Sequence, residues 1–321
     1  MPLSELSGQI QQTAGEGDSL FITCASYEDR STAVVERLAE SYAAERAIIF
    51  YSGEYADKGN TSANHGRITS GLRKISRGVV QEIEFDMSKP IPPMAIFEDM
   101  CREQHESSGI TSVTVDITTL PRQELLILLR VLDNLPLRPS IRLFYAEPAR
   151  YGSEDGGGWL TAGVKSVRTV PGFGGIQHPG KSNLLLMFLG HEDERAAITW
   201  KRHQPRKTIV FVPSPSYRAE MNGIVERTHR LLFTKISDTD VRTCLSARGI
   251  EETEQAILEI WEQYHNSHFI VVAPLSTKLQ TLGIYRAARV KKDIQISYAV
   301  PSIYNFMNYS EGVGRIWEVS W

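Results

Sequence analysis

Two stretches of this chain carry the same alternation of apolar and polar positions. Ile141-Arg142-Leu143-Phe144-Tyr145-Ala146-Glu147-Pro148-Ala149-Arg150-Tyr151 aligns without a gap on Ile294-Gln295-Ile296-Ser297-Tyr298-Ala299-Val300-Pro301-Ser302-Ile303-Tyr304, at an offset of 153 residues. They share the first Ile, Tyr-Ala, Pro and the last Tyr. Such alternation predicts a buried strand, and each proline removes a backbone donor, so each strand is expected to stop there.

Three further landmarks recur in the same order. Val113-Thr114-Val115-Asp116-Ile117-Thr118-Thr119-Leu120-Pro121-Arg122 corresponds to Phe269-Ile270-Val271-Val272-Ala273-Pro274-Leu275-Ser276-Thr277-Lys278. Each is an apolar strand, a hydroxyl pair and a basic residue just inside the following helix. Phe21-Ile22-Thr23-Cys24-Ala25-Ser26-Tyr27-Glu28-Asp29-Arg30 corresponds to Leu186-Met187-Phe188-Leu189-Gly190-His191-Glu192-Asp193-Glu194-Arg195, and Ile48-Ile49-Phe50-Tyr51-Ser52 to Ile209-Val210-Phe211-Val212-Pro213-Ser214. Offsets of 153 to 164 residues in one order imply an internal duplication. A period that long means two domains rather than a solenoid.

Between the landmarks, periodicity predicts helices over 31–45, 94–105, 121–132, 195–202, 219–232, 251–265 and 278–290. Strands are expected at 19–24, 47–51, 79–85, 112–117, 141–146, 184–189, 208–212, 269–273 and 294–298, with a last one near 309–317. Residues 3–17 read as a polar leader, and 52–66 as a long polar loop or weak helix. The glycine- and proline-rich stretch 152–181 reads as a connection holding one short strand at 164–170. The predicted fold is α/β: two tandem Rossmann-like domains, 1–151 and 182–321, related by internal duplication, with mainly parallel sheets and helices on both faces. Such sheets bind ligands beyond the carboxyl ends of their strands, which places every repeated polar landmark at one rim of its domain.

Composition narrows the classes. A net charge of −3 argues against wholesale nucleic-acid binding. Three scattered cysteines make neither a zinc spacing nor a disulfide framework, so a reducing cytoplasm is the expected compartment. No apolar run approaches the roughly 20 residues of a membrane span, and no membrane partner is expected. No P-loop, dinucleotide fingerprint, Gly-x-Ser-x-Gly or His-Glu-x-x-His occurs. No metal ligand set, cofactor or catalytic residue is therefore assigned.

Glu28, Asp29 and Arg30, with Glu192, Asp193 and Arg195, have two readings: helix capping, or ribose and phosphate contacts. Thr118, Thr119 and Arg122, with Ser276, Thr277 and Lys278, set hydroxyls and a cation at a helix N-terminus, the makings of an anion site or of a cap. Cys24 reads as a buried thiol, His191 as a structural histidine, and Gly312 and Gly314 as a turn.

Asp116-Ile117-Thr118-Thr119 and Ser276-Thr277-Lys278-Leu279-Gln280 resemble the Thr/Ser-rich turn, often followed by Lys, of the CARF domains of prokaryotic defence systems. The glycines usual in that turn are absent here. The resemblance implies a Rossmann-like sheet and a cyclic oligonucleotide ligand. The leading expectation is thus a nucleotide-binding sensor or regulatory subunit, its ligand a nucleotide or nucleotide-derived molecule in a cleft between the two domains. An effector protein or a second copy of the chain would be its partners. The alternatives are a nucleotide or nucleoside hydrolase using the loop carboxylates, and a non-catalytic scaffold subunit.

Overall fold

The computed structural model describes residues 3–11, 17–152, 158–236 and 242–321. The chain divides into two units, Met1–Gly152 with Phe306–Trp321, and Ser153–Asn305.

In the first unit the chain runs β1 (Leu3–Glu5), β2 (Asp18–Ala25), β3 (Ala44–Ser52), α1 (Thr61–Ile75), β4 (Val80–Phe85), α2 (Ile91–Ser107), β5 (Ser112–Asp116), α3 (Arg122–Asp133) and β6 (Ser140–Tyr151). The second unit holds β7 (Thr161–Gly174), β8 (Ser182–Phe188), α4 (Asp193–His203), β9 (Lys207–Pro213), α5 (Ile224–Thr228), α6 (Arg230–Phe233), β10 (Arg242–Leu245), α7 (Ile250–Tyr264), β11 (His268–Pro274), α8 (Lys278–Val290) and β12 (Gln295–Tyr304). The last strand, β13 (Ser310–Ser320), returns to the first unit.

The first sheet has the order β1-β13-β6-β5-β2-β3-β4, the second β10-β9-β8-β11-β12-β7. All pairs from β4 to β6 and from β10 to β12 are parallel, while β13 and β7 run antiparallel to β6 and β12. The central strands of each sheet are buried on both faces. In the first, Ala47 and Ile49 share a core with Ile68 and Leu72 of α1, while Phe50, on the other face, meets Phe97 of α2 edge-to-face. In the second, Leu185, Met187 and Val271 share a core with Ala196 of α4, Val225 of α5 and Leu232 of α6. The alternate residues Leu184, Leu186 and Val272 are equally buried, and α7 and α8 pack against β11. Near-continuous apolar strands are what two covered faces require.

Several expectations are corrected. Residues 31–45 form no α-helix; two short 3-10 turns, Asp29–Thr32 and Val35–Arg37, lead into extended chain. Ile10 bonds its backbone to Arg37 and Ala39, and this non-local pairing, with β-branched Thr32, Val34 and Val35, overrides the helical periodicity. The leader contributes β1, paired with β13; most of its glycine-flanked loop, 12–16, lies outside the described residues. The 52–66 loop gives way to α1 at Thr61. The helix expected at 219–232 is broken at Gly223, whose φ is +78°, and again at His229, whose buried Nε2 donates to the Gly190 carbonyl at 2.8 Å.

Neither proline ends its strand. Pro148 and Pro301 sit inside β6 and β12, beyond the last residues paired with β5 and β11, so on that side no ladder bond is lost. The stretch 152–181 is more than a connection, since it carries β7, of 14 residues, paired to β12. The strand that follows β6 in sequence thus completes the second sheet, and the strand that follows β12 completes the first.

Candidate functional site

The loop after β2 places Glu28 and Arg30, which are 6% and 2% exposed. Arg30 donates through Nε at 2.9 Å and Nη2 at 2.8 Å to Glu28 Oε2. Its Nη1 reaches the Ala146 carbonyl at 2.8 Å, and its guanidinium lies 5.8 Å from the Tyr145 ring centre. Ser310, the first residue of β13, donates to Glu28 Oε2 at 2.5 Å.

The loop after β8 repeats this arrangement. Arg195 pairs with Glu192 at 2.6 Å and donates twice to the Ala299 carbonyl, at 3.0 and 2.7 Å. Its guanidinium stands 5.1 Å from the Tyr298 ring centre, and Thr161, the first residue of β7, donates to Glu192. Burial alone would lower the pKa of each guanidinium; the adjacent glutamate, through charge and hydrogen bond, and the nearby tyrosines together outweigh it and hold both raised. These four charged residues are therefore committed to buried latches that fasten the first loop of each unit to two neighbouring strands. Ser310 and Thr161 complete the latches, and no local sequence signal marks them. Asp29 and Asp193 remain exposed; Asp29 accepts from Asn60 and from the Gly312 amide, each at 3.3 Å, and Asp193 from the Glu194 amide at 2.8 Å.

The second pair of landmarks lies at the ends of β5 and β11. Thr118 is fully buried: its Oγ1 accepts from the Ala146 amide at 3.0 Å and its amide donates to Asp116 at 3.0 Å. Thr119 Oγ1 donates to the Cys24 carbonyl at 2.5 Å. In the second unit Thr277 is the N-cap of α8, accepting from the Gln280 amide at 3.1 Å and donating to the Ala247 carbonyl at 2.7 Å. Ser276 is buried beside it. Gly190 and Leu275 bring two rim loops into backbone contact, since a Cβ on Gly190 would lie 2.3 Å from the Leu275 carbonyl oxygen. The hydroxyls thus knit the rim together, while Arg122 and Lys278, the first residues of α3 and α8, stay partly exposed. Pro121, the N-cap of α3, offers no side-chain acceptor, so the first amides of that helix are left uncapped by a side chain.

Beside the first latch, Tyr27 packs against Tyr55 at 5.7 Å and Tyr309 at 6.1 Å, and Tyr309 against Tyr151 at 6.4 Å. Burial, then the Glu28 charge, raises the Tyr27 pKa well above its ordinary value, so its hydroxyl stays protonated. Asn64 on α1 steadies this loop through the Ser26 and Glu28 carbonyls, at 2.9 and 3.1 Å. The tyrosines come from four separated segments, which is why the sequence does not announce them as a group.

No protein-family model and no curated relative matches the sequence. Among solved structures, the chain is similar to a type III CRISPR defence DNA nuclease activated by cyclic oligoadenylate, at TM-score 0.53 and 12% identity over 92% of this chain and 67% of the nuclease. It also matches Can2 from Sulfobacillus thermosulfidooxidans in complex with cyclic tetra-adenylate, at TM-score 0.30 and 17% identity over 41% of this chain and 37% of Can2. The chain therefore spans little more than a third of Can2. A third match is the cytoplasmic domain of a prokaryotic cation chloride cotransporter, at TM-score 0.27 and 9% identity over 90% and 98% of the two chains. The nuclease likeness agrees with a two-unit Rossmann-like fold.

Proposed function

We propose that this chain is a nucleotide sensor whose ligand is a cyclic oligoadenylate or a close chemical relative, and that its two units descend from one duplicated ancestor. The observation that carries the sensor reading is the repeated rim. In two sheets of corresponding order, the strand beside the first one ends in a hydroxyl-bearing turn that opens a helix on a cation, Arg122 in one and Lys278 in the other. Helix N-termini with an adjacent cation suit phosphate groups. Each such turn suits one phosphate group of a nucleotide ligand. The nuclease of similar fold is described as activated by cyclic oligoadenylate, and this supports the choice of ligand. The latches add to the duplication reading, because the same five roles recur in both units. The hydrolase alternative is weaker, since Glu28 and Glu192 already neutralise buried arginines.

The test is thermal shift of the purified chain against cyclic oligoadenylates of several ring sizes, with AMP and NAD as comparators. A ligand at about 100 times its Kd adds roughly 2.7 kcal/mol of stability, readily seen as a raised Tm. One ring size should give that shift, and Arg122→Ala and Lys278→Ala should each weaken it. A folded protein whose Tm no member of the panel moves would refute the proposal and turn attention to a protein partner.

A further inference from the structure

A cavity lies at the end of the second sheet away from the rim, where β8, β11 and β12 begin and α4 ends. Its volume is 310 Å³. Phe269, Gln295 and Ser297 form its buried floor, and His203, the last residue of α4, stands over them with Nε2 2.7 Å from Ser297 Oγ. Arg168 and Arg202 also line it, and no carboxylate does. Gln295 is 8% exposed, yet its side-chain amide makes no hydrogen bond among the described residues. A carboxamide without a protein partner at the wall of a cavity is open to water or to a ligand.

In the first unit larger side chains occupy the corresponding positions. Under the offset of 153 residues, Gln295 and Ser297 correspond to Arg142 and Phe144. Phe144 is fully buried and Arg142 folds over its ring, 5.1 Å from the centre, on the way to buried Asp18 at 3.6 Å. A bulky ring and a paired cation have become a hydroxyl and a free amide. That exchange gives up core packing and opens a polar pocket. It is hard to account for by stability alone.

We propose that this cavity is a ligand site for a small organic anion, a phosphate ester or carboxylate on a hydroxylated body. The two guanidiniums set the sign of the charge. Gln295, Ser297 and His203 supply donors and acceptors for the body, and the volume stands at the lower end of small-molecule pockets, about 300 Å³. The C-terminus of α4 opposes an anion with its partial negative charge. Its last carbonyls are partly neutralised, since the Gln204 amide bonds the Trp200 carbonyl at 3.1 Å and Asn183 Nδ2 bonds that of His203 at 3.0 Å. The full positive charge of Arg202 outweighs what is left. The site lies at the strand ends opposite those of the sensor rim and does not depend on that function.

Calorimetric titration of the full chain with ribose 5-phosphate, citrate, inorganic phosphate and ribose tests the proposal. Ribose 5-phosphate or citrate should bind, and which of them does identifies the anionic group; ribose should not. Arg202 is exposed, so Arg202→Gln should fold normally and weaken that binding by about tenfold or more, as loss of a charge-assisted hydrogen bond implies. Lys278→Ala should leave it unchanged, which separates this site from the sensor rim. The proposal is overturned if neither organic anion binds, if Arg202→Gln binds as tightly as the wild type, or if inorganic phosphate binds as tightly as ribose 5-phosphate.

Discussion

Arg195→Met should be among the most damaging single substitutions in the second unit. The guanidinium is 1% exposed and makes one ion pair, two hydrogen bonds to the Ala299 carbonyl and a face contact with Tyr298. Methionine fills much of the volume but leaves Glu192 as a buried carboxylate without its counter-ion. Breaking such a pair on one side costs about 3–5 kcal/mol. Replacing both partners, Glu192→Met with Arg195→Met, removes the stranded charge. The remaining penalty is then mainly the unpaired Ala299 carbonyl, about 1–3 kcal/mol. With a urea slope of about 2 kcal/mol per M, the single variant should lose roughly 2 M of its unfolding midpoint, and the double variant about half of that. Trp159, Trp200 and Trp261 all belong to the second unit and report its unfolding by fluorescence. A single variant within about 0.5 M of the wild type would refute the latch, as would a double variant no better than the single.

Three further outcomes are expected. Gly283→Ala, in the middle of α8, should raise stability by about 1 kcal/mol on helix propensity alone; instead it should lower the Tm, because its Cβ would lie 2.4 Å from the Ile250 carbonyl oxygen of α7, and overpacking of that kind costs about 1–3 kcal/mol. Cys24 and Cys101 are buried and Cys244 is exposed, so a thiol reagent at pH 8 should label one cysteine in the native chain and all three in urea. Burial pushes the Cys101 thiol up from 9.0 to about 12, so its contribution to stability is complete below pH 9 and fades as pH rises toward 12. Cys101→Ser should flatten that alkaline loss, and a labelling stoichiometry of two or more in the native chain would contradict the packing.

The parallel strands and the helices that cover them were legible because their signals are local. The apolar runs of β5, β8 and β11, the start of α3 after Pro121 and the Thr277 cap of α8 sit where periodicity, proline geometry and capping chemistry put them. Residues 31–45 failed for a non-local reason, since only the fold brings Ile10 alongside Arg37 and Ala39. The prolines misled in a similar way. Pro148 looks like a stop from its own sequence, and only the end of β5 opposite Phe144 makes it tolerable inside β6. The placement of β7 and β13 was illegible because pairing partners are chosen across more than a hundred residues, which no local pattern records.

The sequence marked the recurring candidate residues, and the structure shows what holds four of them in place. Glu28, Arg30, Glu192 and Arg195 drew attention because they recur. Under the proposed duplication, however, the residues most tightly held in common are those the shared fold needs, and these proved to be its latches. Ligand preference is then better sought where the copies part. Arg122 in one unit stands where the other has Lys278, a rigid planar fork against a compact ammonium, and such side chains differ in the geometry with which they meet a phosphate. Tyr27, with its aromatic neighbours, stands where the second unit has His191. Arg142 and Phe144 close a space that Gln295 and Ser297 leave open. The divergence predicts unequal contributions: exchanging Arg122→Lys and Lys278→Arg singly should change affinity for the proposed nucleotide by different factors, and equal effects would refute that reading.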